Sequence, residues 1–345
     1  MIMNPKTAAL HCGLVSRYRT ELMGIASIWV MFHHNFCSWP NVLSPLQTFF
    51  SYGSVAVDIF LFLSGIGLFY GWQKDASLGT FYRKRLARVL IPYVLLVTPY
   101  WCWRDLWLGE GNFWMDLTQL SFLLKGEITT WYIPTITVFY MVYPLVAAFL
   151  SGAKCWKREA VLVFVCVALC VLARESQVYR NCEIGLTRFV IFSLGCCAGR
   201  NVYENRCLPG SALWLSLVWL LLNWAVRCWI PLPTIFIRFS FVPLALSILC
   251  ILTWLLDKIA LHHRLLRFLR FFGEHSLELY LTHILVRNIW AYYWGSRLLD
   301  PWGFIPYGLI LLCSVVLSIA AHRIIVRLCA FITATGRKEK KCQTA

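Results

Sequence analysis

Long apolar runs separated by short polar stretches recur along the whole chain. They lie at about residues 22–39, 54–72, 89–108, 131–150, 159–173, 184–199, 211–230, 235–256, 275–295 and 304–333. Most approach the twenty or so residues that a helix needs to cross the hydrocarbon core of a bilayer. The pattern therefore predicts an all-α polytopic membrane protein of about ten transmembrane helices, with the fifth and sixth runs short for a full span. The polar stretches add a second regularity. Lys6, Arg17 and Arg19 precede the first run; Lys74, Arg83, Lys84, Arg85 and Arg88 follow the second; Lys154, Lys157 and Arg158 follow the fourth. Arg200 and Arg206 follow the sixth, Lys258, Arg264, Arg267 and Arg270 the eighth, and Arg337, Lys338, Lys340 and Lys341 close the chain. All six clusters fall on one side of an alternating path. The opposite connections lack charge (40–53) or are mixed to acidic, with Asp105, Glu110, Asp116 and Glu127. Because short basic loops are retained in the cytoplasm, both termini are expected there. The chain then divides into a cytoplasmic segment 1–20, a membrane domain 21–333 and a cytoplasmic basic tail 334–345. No signal-peptide core precedes the first run, which is expected to act as an uncleaved span.

Composition narrows the classes. With 59% hydrophobic and 14% charged side chains, the chain is too apolar for an ordinary soluble domain. The net charge of +16 sits in the loop clusters, so it reads as topology and not as a nucleic-acid surface. The 17 Trp and 15 Tyr suit interfacial belts. Most of the 15 cysteines, among them Cys166, Cys170, Cys196, Cys197, Cys250 and Cys313, lie inside apolar runs and read as small buried hydrophobes. No paired CxxC with zinc spacing occurs and no metal is expected, while Cys102, Cys182 and Cys228 fall near outer ends where a disulfide can form.

Within the spans a few polar groups stand out, since an ionisable side chain in hydrocarbon is costly and marks a functional site by default. The first run carries adjacent His33 and His34 toward its outer end. The expected topology brings Asp58, Arg188, Arg238, His283 and Arg287 into the outer half of the same bundle. Snorkelling or structural pairing is the plain alternative for each, Arg188 and Arg238 especially. A carboxylate such as Asp58 can hold an imidazole in one tautomer. Ser64 and Gly65 read as helix-packing residues. At the cytoplasmic mouth of the third helix, FYRKRLARVLIP places Arg83, Lys84, Arg85 and Arg88, which can bind the phosphates of a nucleotide-containing donor or serve only as a topology signal.

The stretches MGIASIWVMFHH, VDIFLFLSG, FYRKRLARVLIPY, WYIPTITVFYMVYPL and GEHSLELYLTH, in that order, resemble acyltransferase family 3, the membrane acyltransferases of bacterial surface glycans. The resemblance implies a ten-helix bundle in the plasma (inner) membrane that takes an acyl group, usually acetyl from cytoplasmic acetyl-CoA. It delivers that group to a hydroxyl of an extracytoplasmic glycan or polysaccharide. His34 matches the family histidine of the first helix. The family arginine eleven positions earlier is replaced by Met23, with Arg17, Arg19 and Glu21 as nearby charges.

On this reading His34 takes the acceptor's proton with Asp58 orienting its ring, and Arg83, Lys84, Arg85 and Arg88 hold the CoA. Arg188, Arg238 and Arg287 line an outer vestibule, and His283 is a further polar group on the donor path. An acyl-histidine intermediate is the competing route. Acyl-CoA is a donor substrate and not a resident cofactor; membrane lipid and the glycan are partners, a homo-oligomer is compatible, and nucleic acid is not expected. Intramembrane His, Asp and Arg would equally serve a proton-coupled transporter or exporter of a glycan precursor, although no internal repeat is evident. An inactive scaffold relative is the third reading.

Overall fold

The computed structural model describes residues 10–36, 49–50, 52–152, 154–229, 233–295 and 304–343. Lys6, most of the 40–53 connection, and the side chains of Cys228 and of the basic residues at 337–341 lie outside the described residues. In chain order, β1 (Leu10–His11) and α1 (Gly13–Arg17) lead into α2 (Arg19–Phe36), α3 (Val55–Lys74) and α4 (Leu78–Trp101). A π-helical turn over Cys102–Trp107 continues α4. Short α5 (Phe113–Leu117) and α6 (Leu120–Lys125) precede α7 (Tyr132–Phe149), α8 (Cys155–Ala173), α9 (Gln177–Leu186) and α10 (Phe189–Tyr203). After β2 (Cys207–Leu208) come α11 (Ser211–Trp229), α12 (Thr234–Lys258), α13 (His263–Glu274), α14 (Ser276–Trp294) and α15 (Phe304–Gln343).

Among the described residues, helix therefore covers nearly all of each apolar run, and the chain is a multi-pass membrane protein. By length and composition alone, six helices among the described residues can cross a membrane: Tyr52–Lys74, Leu78–Trp107, Tyr132–Phe149, Gln177–Tyr203, Thr234–Lys258 and Ile305–Ile332. The helices of the first, fifth and ninth runs fall short of that apolarity because they carry polar groups, among them buried Glu21, Glu159, and Glu278 with His283. The sixth run is not one straight helix: α9 and α10 meet at Thr187 and Arg188. The only strands among the described residues are β1 and β2, an antiparallel pair with Leu10 opposite Leu208 and His11 opposite Cys207. Cys102 and Cys182 are free thiols, so neither forms the disulfide that their depth would allow.

The core is organised on α3. Apolar nearly all round, this helix is enclosed on nearly every side, with Val55, Ile59, Leu61, Leu63 and Leu68 fully or almost fully buried. Its approach to α10 depends on Gly65 and Gly195, where an added Cβ would run into the backbone at Phe192 and Phe62. Between lipid-exposed helices, van der Waals packing of such small residues supplies association that the hydrophobic effect cannot. A second crossing of this kind joins α2 to α13. A Cβ on Gly24 would collide with the Leu269 carbonyl, and one on Gly273 with that of Thr20. Glu21, buried in α2, accepts from Arg270 Nη2 at 2.6 Å and from Nε at 3.1 Å, fixing the same crossing electrostatically. Gly24→Val is therefore expected to cost about 1–3 kcal/mol, the usual penalty of overpacking, read as a lowered unfolding midpoint in detergent; an unchanged midpoint would mean that the crossing can open without cost.

Candidate active site

A cavity of about 850 Å³ runs through the bundle between α2, α3, α4, α7, α14 and α15. One end is cationic. Lys74, Lys84, Arg85 and Arg88 line it, together with Arg19 from α2. The sequence explains how these long side chains fit. Gly67 and Gly71 leave the α3 backbone bare, and a Cβ at Gly67 would come within 2.8 Å of Arg19 Nη2. Arg19 Nε donates to the Leu63 carbonyl at 3.2 Å, and Arg85 Nη2 to that of Gly67 at 3.1 Å. Of the four basic residues expected to hold a donor, Lys84, Arg85 and Arg88 are on the wall; Arg83 is not. Met23 also lines the cavity, with Arg19 four residues before it on the same helix face. Arg17 is exposed and Glu21 is paired with Arg270, so Arg19 is the charge that α2 brings to the cavity.

Midway, Glu278 and His322 face each other at 2.9 Å, and the His275 ring stacks 4.3 Å from that of His322. The sequence reading missed this pair. Its one signal was a histidine inside the otherwise apolar last run. Ser64, read as a packing residue, lies on the cavity wall as well.

The far end is closed by His283, fully buried from bulk solvent and part of the cavity lining. Its Nδ1 lies 2.7 Å from the Leu279 carbonyl, which can only accept. In the neutral ring Nδ1 therefore carries the hydrogen and Nε2 keeps its lone pair. Nε2 has no hydrogen-bond partner among the described residues, nor does the buried Ser27 Oγ that shares the lining. The His34 ring lies 5.2 Å from that of His283, and the His33 ring 5.1 Å from that of His34. His33 is fixed in the same tautomer by the Phe50 carbonyl, 2.8 Å from Nδ1. Arg287 is within electrostatic range of all three imidazoles. The structure thus gathers His33, His34, His283 and Arg287, and of these three imidazoles His283 is the one that lines the cavity.

Asp58 is placed differently from the ring-orienting role expected for it. It faces Arg188, with Oδ1 3.5 Å from Nε, and both side chains are almost wholly buried. The break between α9 and α10 lets Arg188 reach this position while donating to the carbonyls of Ile184 at 2.6 Å and Ser54 at 3.2 Å. Its guanidinium also lies 4.9 Å from the centre of the Trp131 ring. Arg238 lies within electrostatic range of this pair. Arg188 and Arg238 therefore group with Asp58, and Arg188 also lies within electrostatic range of His33. A separate latch ties the π-helical turn to the connection that follows it. Arg104 reaches Asp105 and Asp116 at 2.7 Å each and Glu127 at 2.9 Å, over the face of Trp101 at 4.2 Å. Charge-assisted bonds of this kind account for Asp105, Asp116 and Glu127 among the acidic residues read in that connection.

Geometrically, the arrangement offers a cationic mouth suited to phosphates, a long passage, and a basic nitrogen free at its inner end. A family model described as an acyltransferase domain (Acyl_transf_3) matches residues 22–323, a span that contains most of the cavity helices, with His33, His34, His275, His283 and His322. No curated protein and no solved structure matches the chain.

Proposed function

The chain belongs to the acyltransferase family 3, and on that premise we propose that it moves an acetyl group from cytoplasmic acetyl-CoA to a hydroxyl of an extracytoplasmic glycan or cell-surface polysaccharide. It does so as a multi-pass protein of the plasma (inner) membrane, with about ten spans and both termini cytoplasmic. The observation that supports this reading is the cavity itself, cationic where the basic loops cluster and ending at an imidazole nitrogen with no partner among the described residues. Arg19, Lys84, Arg85 and Arg88 take the donor's phosphates, for which forked guanidinium groups are well matched. The pantetheine arm extends past Glu278 and brings the thioester to His283.

There the glycan hydroxyl, entering from the outside, attacks the thioester carbonyl carbon. The new C–O bond forms as the C–S bond breaks. His34 takes the hydroxyl proton and passes it to Nε2 of the neighbouring His283, which gives it to the departing thiolate. Neither imidazole is consumed, and one proton has moved from oxygen to sulfur. Arg287, beside the three imidazoles, guides the acceptor.

Transfer of radiolabelled acetyl from acetyl-CoA into lumenal polysaccharide of inverted vesicles tests the reaction and its direction together. Label in the lumen is expected; none, in vesicles that contain the glycan, overturns the reading. Arg19→Gln and Arg85→Gln are each expected to raise the acyl-CoA KM about tenfold or more, the loss of a charged hydrogen bond worth about 1.5–3 kcal/mol. An unchanged KM for Arg19→Gln would remove it as the charge that serves where Met23 stands.

A further inference from the structure

α13 presents two distinct apolar faces, and one of them has no partner among the described residues. Leu269 and Gly273 are buried against α2. Leu261, in the preceding turn, and Leu265, Phe268 and Phe272 recur at spacings of three and four and form a stripe on a neighbouring face. Leu261 is 85% exposed, Leu265 43% and Phe268 52%, and the Phe268 and Phe272 rings meet at 5.0 Å. Across the helix from the stripe lie His263, Arg267, Arg270 and Glu274, all exposed, with Arg264 flanking it. A short helix with a narrow apolar stripe and arginines beside and behind it has the form of an element lying in the plane of a membrane surface. Its place in the chain agrees, between the ends of α12 and α14 that carry Lys258 and Ser276.

We propose that α13 is an in-plane helix of the cytoplasmic membrane surface that binds anionic phospholipid. Leu261, Leu265 and Phe268 enter the acyl-chain region, and Arg264 and Arg267 take the headgroup phosphates. A lipid surface is favoured over a soluble partner because the stripe and the arginines match both layers of a leaflet, apolar and anionic, at once. The consequence reaches the cavity. Gly273 and Glu274 line its cationic end, and α13 is pinned to α2 by Gly24, Gly273 and the Glu21–Arg270 pair. A lipid held on one face thus braces the wall through which the donor enters. This inference rests on the topology proposed above and not on the chemistry, so the two can fail separately.

The test replaces Phe268 by photoreactive benzoylphenylalanine in the full chain. The protein is reconstituted in nanodiscs of mixed phosphatidylcholine and phosphatidylglycerol, irradiated, and the adduct is weighed by mass spectrometry. A lipid adduct is expected, enriched in phosphatidylglycerol about fivefold or more over the bilayer's own ratio, the order of effect that two surface arginines supply. Arg264→Gln with Arg267→Gln should abolish the enrichment and leave an adduct, whereas the Lys pair should retain it. Salt at about 1 M, where the Debye length falls to about 3 Å, should act like the Gln pair. No lipid adduct, an adduct without enrichment, or crosslinking to a polypeptide in native membranes would each overturn the proposal.

Discussion

His34→Ala and His283→Gln should each lower acyl transfer by about 10²- to 10⁴-fold, the range that a positioned acid or base contributes, while acyl-CoA binding stays within about twofold of wild type. The expectation for His283 follows from placement. It lines the cavity wall, its Nδ1 is occupied by the Leu279 carbonyl, and its Nε2 has no partner among the described residues. His34, ring to ring at 5.2 Å, stands one step behind it and off the cavity wall. Binding by titration and turnover by label transfer separate the two effects, because an imidazole that acts only on the reacting atoms changes kcat and leaves the donor's phosphate contacts intact. Normal turnover in either variant would remove that imidazole from the reaction. Loss of turnover in His34→Ala alone would reduce the pair to a single base.

Arg188→Met should destabilise the protein by about 3–5 kcal/mol, because it leaves the Asp58 carboxylate buried and uncompensated. Asp58→Leu should cost a similar amount by stranding the guanidinium. The double variant should recover much of that loss, since a buried ion pair often contributes little beyond what well-packed apolar groups would. Unfolding of the four proteins in mixed micelles completes the cycle. Single variants with wild-type stability would show that the pair does not hold the α3–α10 junction together. If Asp58→Asn kept full stability and lost turnover, the carboxylate would return to the catalytic role that its position in the sequence suggests.

Much of the architecture could be read from the order of residues. An apolar run near twenty residues long has few options but to span as a helix, since its backbone groups must be satisfied internally in hydrocarbon. The cost of burying charge likewise marked His34, His283, Arg188 and Asp58 before any contact was known. The basic stretch after the second run gave three of the residues at the cationic end of the cavity. What the chain order could not decide was rotation and pairing. Adjacent helical residues point about 100° apart, so whether Arg83 or Lys84 faces the cavity depends on how α4 is turned by its neighbours, and the same holds for His33 and His34. Asp58 could have met an imidazole or a guanidinium at the same depth. The break at Thr187 and Arg188, closed by the Ser54 and Ile184 carbonyls, settled it for Arg188.

By itself, then, the sequence determined the helices, the polar groups they carry and the clustering of basic loops, because those follow from the solvent a membrane provides. Only the tertiary structure decided that Arg19 reaches the cavity wall beside Met23, that Glu278 meets His322, and that His283 meets the cavity. Each of these is set by the packing of side chains from helices distant in the chain, where steric fit leaves one rotation of each helix and discards the others.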